Sequence, residues 1–156
     1  MSGKINKGRK VYFSPTAQAS DLNQAAFEAI VDWVEVGNVV TTGETGANTN
    51  VVSQDYWGTD VTQKQTGITN AGDPTIEVGQ DLSDAGQTAM RNVANNGGYY
   101  AFKIEDKLLT GELTPVTRYN RGLVLGPIDS NGDVEGWNNQ TFTLGLVQTQ
   151  ITVDAT

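Results

Sequence analysis

Acidic side chains stand close to aromatic ones at two places in the chain, a combination found in enzymes that hydrolyse sugars. Asp55 is followed by Tyr56 and Trp57. Glu135 lies two residues before Trp137. Glycosidases need two carboxyl groups held about 5 to 9.5 Å apart across the bond to be cleaved. Nothing in the sequence sets that separation, and exposed acids with half-buried Trp residues explain the same pattern. A carboxylate hydrolase is therefore the weakest of the functional hypotheses.

An acidic turn, Asp129–Asp133, is similar to the start of a calcium-binding loop. Such a loop requires Gly at its sixth position and a bidentate acid at its twelfth. Here those positions hold Val134 and Gln140. The Asn131–Gly132 dipeptide is the usual signal of a tight turn. The segment predicts a turn, and no metal ligand is assigned.

The residues that the chain lacks exclude several chemistries. Its 156 residues include no His and no Cys. A Ser-His-Asp triad, a thiol nucleophile, a disulfide and a zinc site of Cys and His are therefore all impossible. We expect a protein that is not an enzyme and that needs no cofactor.

The abundance of Thr, Gly and Asn indicates the fold class. The chain has 19 Thr, 18 Gly and 13 Asn. All three are poor helix formers, whereas Thr favours strands and the other two favour turns. We predict a mainly β fold, a β-sandwich or partial barrel with one main α-helix packed against it. We divide the chain into a basic arm, residues 1–20, and a single β domain, residues 21–156.

Capping signals predict the helices. Asp84 is followed three residues later by Gln87, which is typical of an N-terminal capping box, and the pattern stops at the Asn and Gly residues of 95–98. A weaker signal, Asp21 before Gln24, predicts one or two further turns of helix.

Strands are predicted on both sides of a polar loop. Residues 30–41 are rich in β-branched side chains, with a possible break at Gly37. Residues 43–50 contain no large apolar side chain and predict a flexible loop or hairpin tip. Near the C-terminus, the apolar parity changes between Leu146 and Val147, which predicts a bulge or a strand that crosses between sheets.

Basic side chains are concentrated in the first ten residues, which contain no acid: Lys4, Lys7, Arg9 and Lys10. Because the net charge is −8, these four bases leave a charge of −12 on the rest of the chain. DNA-binding domains are usually basic, and an acidic body repels DNA. We therefore interpret the N-terminus as a tail or as an arm that docks on an acidic surface of a neighbouring copy.

The N-terminal residues and the lengths of the apolar runs indicate where in the cell the protein is expected. No apolar run reaches the roughly 18 to 20 residues of a membrane span. The basic start is not followed by the apolar stretch of a secretory signal. We expect a soluble protein that is made in the cytoplasm and does not bind membranes.

The order of the elements resembles a known family. Residues 64–95 combine a Gly turn, a short strand, an Asp-x-x-Asp-x-Gly-Gln step and a single helix. The step consists of Asp81, Asp84, Gly86 and Gln87. Strand-like segments at 32–46, 99–105 and 142–153 complete the order. From residue 22 to residue 153 the chain resembles the major tail tube proteins of long-tailed, siphophage-like bacteriophages.

This resemblance implies an assembly. Subunits of such proteins form hexameric rings whose sheets join into one β-barrel wall. The rings stack around a tape-measure protein, DNA later passes without specific binding, and terminator and tip proteins close the tail. The chain would then reside in the virion tail, after assembly in the host cytoplasm. The loop would order on the next ring, and its candidate contact residues are Gly43, Glu44, Thr45, Asn48 and Asn50.

One alternative remains open at this point. A carbohydrate-binding or adhesin-like β-sandwich would also use exposed aromatic side chains. Trp57, Trp137 and several Tyr residues support this hypothesis.

Overall fold

The computed structural model describes residues 7–156, so Lys4 lies outside the described residues. Within this range the chain is mainly β, with two helices, α1 (Gln24–Glu28) and α2 (Ala85–Val93). The strands are, in order, β1 (Lys10–Phe13), β2 (Val34–Val36), β3 (Val39–Thr42), β4 (Asn48–Gln54), β5 (Gln63–Asn70), β6 (Thr75–Gly79), β7 (Tyr99–Glu105), β8 (Thr117–Ser130), β9 (Asn139–Leu146) and β10 (Ile151–Val153).

One antiparallel sheet of eight strands forms the body of the protein. Its order is β2-β1-β7-β8-β9-β6-β3, and β10 pairs with the first part of β8. Strands β2 and β3 lie at opposite ends of this order, yet only Gly37 and Asn38 connect them. The sheet must therefore curl until its two ends approach each other. Because β2 and β3 are not paired within the described chain, the curled sheet remains open.

The main core fills the inside of this curl. Side chains from both halves of the sheet and from α2 contribute to it, including Val11, Phe13, Ile76, Val78, Met90, Phe102, Ile104, Phe142 and Leu144. The strand-like segment predicted at 99–105 is confirmed as β7, in which Tyr100, Phe102 and Ile104 are all buried. Ala101 is buried as well, because this part of the sheet is covered on both faces.

The second cover consists of α1 and the segment around it. Phe27 is fully buried and stacks on Tyr119, with ring centroids 5.1 Å apart. The predicted helix is present, but the predicted cap at Asp21 is wrong. Asn23 caps the helix by accepting a hydrogen bond from Ala26 N at 2.8 Å. Asp21 instead accepts a hydrogen bond from the buried guanidinium of Arg121 at 3.0 Å.

Several strands differ in extent from the prediction. The break at Gly37 is confirmed, because β2 ends at Val36 and β3 begins at Val39. Strand β8 is one continuous strand of 14 residues, a length that no apolar pattern in the sequence marks. The change of parity after Leu146 corresponds to an interruption, since β9 ends there and β10 pairs with another part of β8. Strand β1 lies inside the segment 1–20 that we predicted as an arm.

Asp32 ties the segment before α1 to the segment after it. Its carboxylate accepts hydrogen bonds from the hydroxyl groups of Ser14 and Thr16. Burial alone would raise the pKa of Asp32, but these hydrogen bonds outweigh burial, and the pKa lies below its ordinary value.

This arrangement predicts a pH-dependent contribution to stability. Because the folded-state pKa is below the unfolded value of about 3.9, the ionised carboxylate stabilises the fold above about pH 4. That contribution is lost as the pH falls through the folded-state pKa. We expect Asp32→Asn to melt at a lower temperature than the parent at neutral pH, with a difference that shrinks towards pH 2.5. Thermal melts across this range check the prediction, and a difference independent of pH would contradict it.

Candidate assembly surfaces

A separate two-stranded hairpin, β4–β5, projects from the body of the protein. Its strands pair only with each other, from Asn48 opposite Asn70 to Gln54 opposite Gln63. Every residue of β4 is exposed, and so is every residue of β5 except the half-exposed Gly67. Apolar side chains on the hairpin face solvent, including Val51, Val52 and Ile68. An isolated hairpin of this kind is only marginally stable in water.

Residues 55–62, which we call the hairpin tip, connect β4 and β5. The tip holds the most exposed tryptophan of the described chain, Trp57, with a relative exposure of 109%. Tyr56 and Val61 are exposed as well, at 54% and 73%. Aromatic side chains that are exposed in a free subunit are the commonest energetic centres of protein interfaces.

The polar segment 43–50, predicted as a flexible loop or hairpin tip, is a connection at the root of the hairpin that continues into β4. Gly43 N donates a hydrogen bond to Thr75 O at 2.6 Å, so the loop begins against the edge of β6. Asn48 and Asn50 belong to β4. Glu44 and Thr45 line an open groove together with residues 72–75. Whether these five residues contact a neighbouring copy stays a prediction.

The basic residues of the N-terminus are in different environments. Lys7 is exposed. Arg9 lies beside Asp106, with 2.9 Å between Nε and Oδ1, but the geometry is not that of a hydrogen bond. Lys10 begins β1 and is opposite Glu105 of β7. Lys7, Arg9 and Lys10 therefore lie at the end of the body where β7 ends and β8 begins.

The Asp-x-x-Asp-x-Gly-Gln step fastens α2 to both ends of the curled sheet. Asp84 caps α2, because its Oδ2 accepts a hydrogen bond from Gln87 N at 2.9 Å. The same oxygen accepts a second hydrogen bond, at 3.0 Å, from Gly37 N in the β2–β3 connection. Asp81 accepts hydrogen bonds from the side chain and backbone of Ser83, which lower the pKa of Asp81.

Gln87 is fully buried, and both the nitrogen and the oxygen of its side-chain amide form hydrogen bonds. Its Nε2 donates to the carbonyl oxygens of Gly37 at 2.8 Å and Gly79 at 3.0 Å. Its Oε1 accepts from Asp81 N at 3.0 Å and from Arg91 Nη2 at 2.6 Å. The four residues of the step thus hold the start of α2 against the place where β2, β3 and β6 meet.

Gln87→Met tests this structural role, because the substitution keeps the volume of the side chain and removes its hydrogen bonds. We expect the free energy of unfolding to fall by about 2 to 3 kcal/mol, since buried groups on Gly37, Gly79 and Asp81 lose their partner. Chemical denaturation measures the change. Gln65→Met on the exposed β5 is the matched control, and an equally small effect at both positions would contradict the role of the buried amide.

The remaining sequence candidates lie in different connections of the fold or show no metal geometry. Asp55 lies at the hairpin tip, whereas Glu135 lies in the connection between β8 and β9. Within residues 7–156 no group of acidic side chains is arranged as a metal site. Neither helix of the described chain has the length and apolarity needed to cross a membrane.

Comparison with known proteins rests on structure. No family model matches the sequence, and no curated protein matches it significantly. Among solved structures, a chain of the SPP1 tail tube, determined by solid-state NMR and cryo-EM, superposes with a TM-score of 0.68. The two chains share 14% sequence identity, over 96% of this chain and 78% of that one. This chain has the fold of a phage tail tube protein.

A second structure agrees with that assignment of the fold. A chain in the 6-fold symmetrised cryo-EM structure of the anti-feeding prophage (AFP) baseplate also gives a TM-score of 0.68. Its sequence identity is 14%, and the match covers 99% of this chain and 97% of the other. The fold shared with that chain therefore extends over nearly the whole of this chain.

Proposed function

We propose that this protein is the structural subunit of a phage tail tube. In this proposal the subunits form rings, most simply hexameric, that stack around a central channel for a tape-measure protein and for DNA. The observation that carries the proposal is the match of nearly the whole chain to the SPP1 tail tube fold. The finished assembly would be part of the virion tail, built in the host cytoplasm and closed by tail terminator and tip proteins.

The free hairpin supports a role in assembly. Both of its faces carry exposed apolar side chains, such as Val51, Val52 and Ile68, that no part of the described chain covers. Exposed β-edges and apolar strands invite pairing with other chains. A neighbouring subunit would bury this surface and would stabilise a hairpin that is marginal alone.

The edges of the main sheet support ring closure. Strand β3 pairs with β6 on one side and has no partner on its other side within the described chain. Its Val40 and Thr41 are exposed. Joining such an edge to a strand of the next copy removes the edge, and repetition around a rotation axis closes a ring. This is the route by which the sheets would form one barrel wall.

The charge suits a channel that DNA crosses without binding. Each subunit carries −8, and Glu77 projects from the side of β6 opposite the buried Ile76 and Val78. Acids on a channel wall repel phosphates over about 8 Å at physiological salt. A negatively charged channel wall would let DNA slide through and would keep it from adhering.

Sedimentation velocity at rising protein concentration tests the proposal. We expect the 16.7 kDa monomer to convert into species of at least about six chains, with conversion favoured at high concentration. A sample that remains monomeric over a hundredfold range of concentration, alone and with a tail-tip fraction as a nucleus, would contradict it.

A carbohydrate-binding module is the second candidate. Trp137 is 84% exposed and borders a groove lined by the amide side chains of Asn38, Gln80, Asn138 and Asn139. An aromatic face with nearby amides is suited to sugars, since amides can donate and accept hydrogen bonds. Binding to a glycan array that is lost in Trp137→Ala would support this function over the first.

A further inference from the structure

A basic, leucine-rich patch lies at the end of the body where β7 is connected to β8. Leu108 and Leu109 are 49% and 41% exposed, and Lys107 beside them is exposed as well. The N-terminal segment runs over the same place, because a Cβ on Gly8 would lie 3.1 Å from the side chain of Lys107. We define the leucine patch as Lys7, Lys107, Leu108 and Leu109.

Two hydrogen bonds close the turn that follows Leu109. Glu112 N donates to Leu109 O at 3.1 Å, and Leu109 N donates to Glu112 Oε2 at 3.1 Å. Gly111, with φ of +90°, permits the tight turn between them. Two exposed leucines on a fixed turn form a surface that loses little conformational freedom when a partner binds.

The patch is positive on a protein that is strongly negative. Two acids lie beside the patch, Asp106 and Glu112. Asp106 is engaged by both Arg9 and Arg118, each with 2.9 Å to Oδ1, and the Glu112 carboxylate accepts the hydrogen bond from Leu109 N. Lys7 and Lys107 make no ion pair within the described chain. Asp154 belongs to the C-terminal segment that pairs with the end of the β7–β8 connection, because Val153 pairs with Thr117 and Thr156 N donates to Thr114 O. The positive charge of the patch itself comes from Lys7 and Lys107.

The hairpin tip has the complementary composition. It contains Asp55 and Asp60 and no basic residue, and its aromatic side chains Tyr56 and Trp57 face solvent. One chain thus presents an acidic aromatic projection and a separate basic leucine surface. A contact between two different patches of identical chains is heterologous, and such contacts build rings and stacked helical assemblies.

We propose that the hairpin tip of one copy docks on the leucine patch of a neighbouring copy. The proposal rests on the proposed assembly function and names the surface that receives the tip. Trp57 and Tyr56 cover Leu108 and Leu109, and Asp55 and Asp60 approach Lys7 and Lys107. The residues of the two surfaces come from different segments of the chain, the β4–β5 connection and the β7–β8 connection.

Engineered disulfides test this contact directly, because the protein has no Cys of its own. Gly58→Cys places a thiol at the tip without removing an aromatic anchor, since a side chain there meets nothing within 4 Å. Thr110→Cys places the second thiol beside the leucines. After mild oxidation of assembled protein we expect a ladder of covalent oligomers, with a yield at least tenfold above the control pair Gly58→Cys and Asn131→Cys.

Charge exchange provides a second test that does not depend on thiols. Asp55→Lys with Asp60→Lys should reduce assembly at least tenfold, and so should Lys7→Glu with Lys107→Glu. Combining all four substitutions should restore assembly, because the charges are again complementary. Absence of both the ladder and the restoration, in protein that still forms tubes, overturns the docking proposal and leaves the assembly function standing. Absence of any assembly by the parent protein overturns both.

Discussion

Gly86→Ala is expected to lower the free energy of unfolding by about 3 kcal/mol, the upper part of the range for an overpacked core. Gly86 lies in the first turn of α2, directly against β2. A Cβ at this position would overlap the carbonyl oxygen of Glu35 and would lie 2.6 Å from the Cα of Val36. Both atoms belong to the backbone, so the strand or the helix must move to relieve the overlap.

Chemical denaturation of Gly86→Ala measures this effect, with Gly58→Ala as the matched control. A methyl group on Gly58 meets nothing within 4 Å, and the same change of residue type therefore costs little there. The displaced helix would also lengthen the hydrogen bonds from Gly37 and Gln87 to Asp84. Equal stability of the two variants would contradict the close contact between α2 and β2.

Tyr56→Ser combined with Trp57→Ser is expected to raise the concentration needed for assembly and to leave the fold of the free subunit unchanged. Both side chains are exposed to solvent at the hairpin tip, so neither belongs to the core of the described chain. Aromatic centres of interfaces contribute about 2 kcal/mol or more each. We therefore expect the concentration needed for assembly to rise at least about thirtyfold, since 1.4 kcal/mol corresponds to a factor of ten.

Light scattering against protein concentration measures that shift, and thermal melting of the free subunit checks that the fold is intact. Val134→Ser with Trp137→Ser is the control, because both side chains are exposed to a similar degree in the connection between β8 and β9. If this control pair abolished assembly and the tip pair did not, the assigned contact surface would be wrong.

Features encoded by neighbouring residues were predictable from the sequence. The capping box of α2 is one example, because Asp84 and Gln87 interact within a single turn. The same residues have a second role that the sequence does not reveal. Their bonds to Gly37 span 47 and 50 residues, and the bond from Gln87 to Gly79 spans 8. All three bonds depend on how the sheet curls.

Features that depend on distant partners could not be predicted. Strand β1 has only four residues, and its partners lie in β2 and β7. The cap of α1 was assigned to Asp21 because the sequence does not show that Arg121 competes for its carboxylate. The hairpin was misplaced because its exposed strands lack the one-sided apolar pattern that marks a strand packed on a core.

Electron microscopy of the purified protein at high concentration is the sharpest test of whether these subunits build a tube. We expect hollow filaments whose end-on averages show a ring of subunits around an open centre. Particles that remain single subunits of 16.7 kDa, or filaments without a central channel, would contradict this expectation.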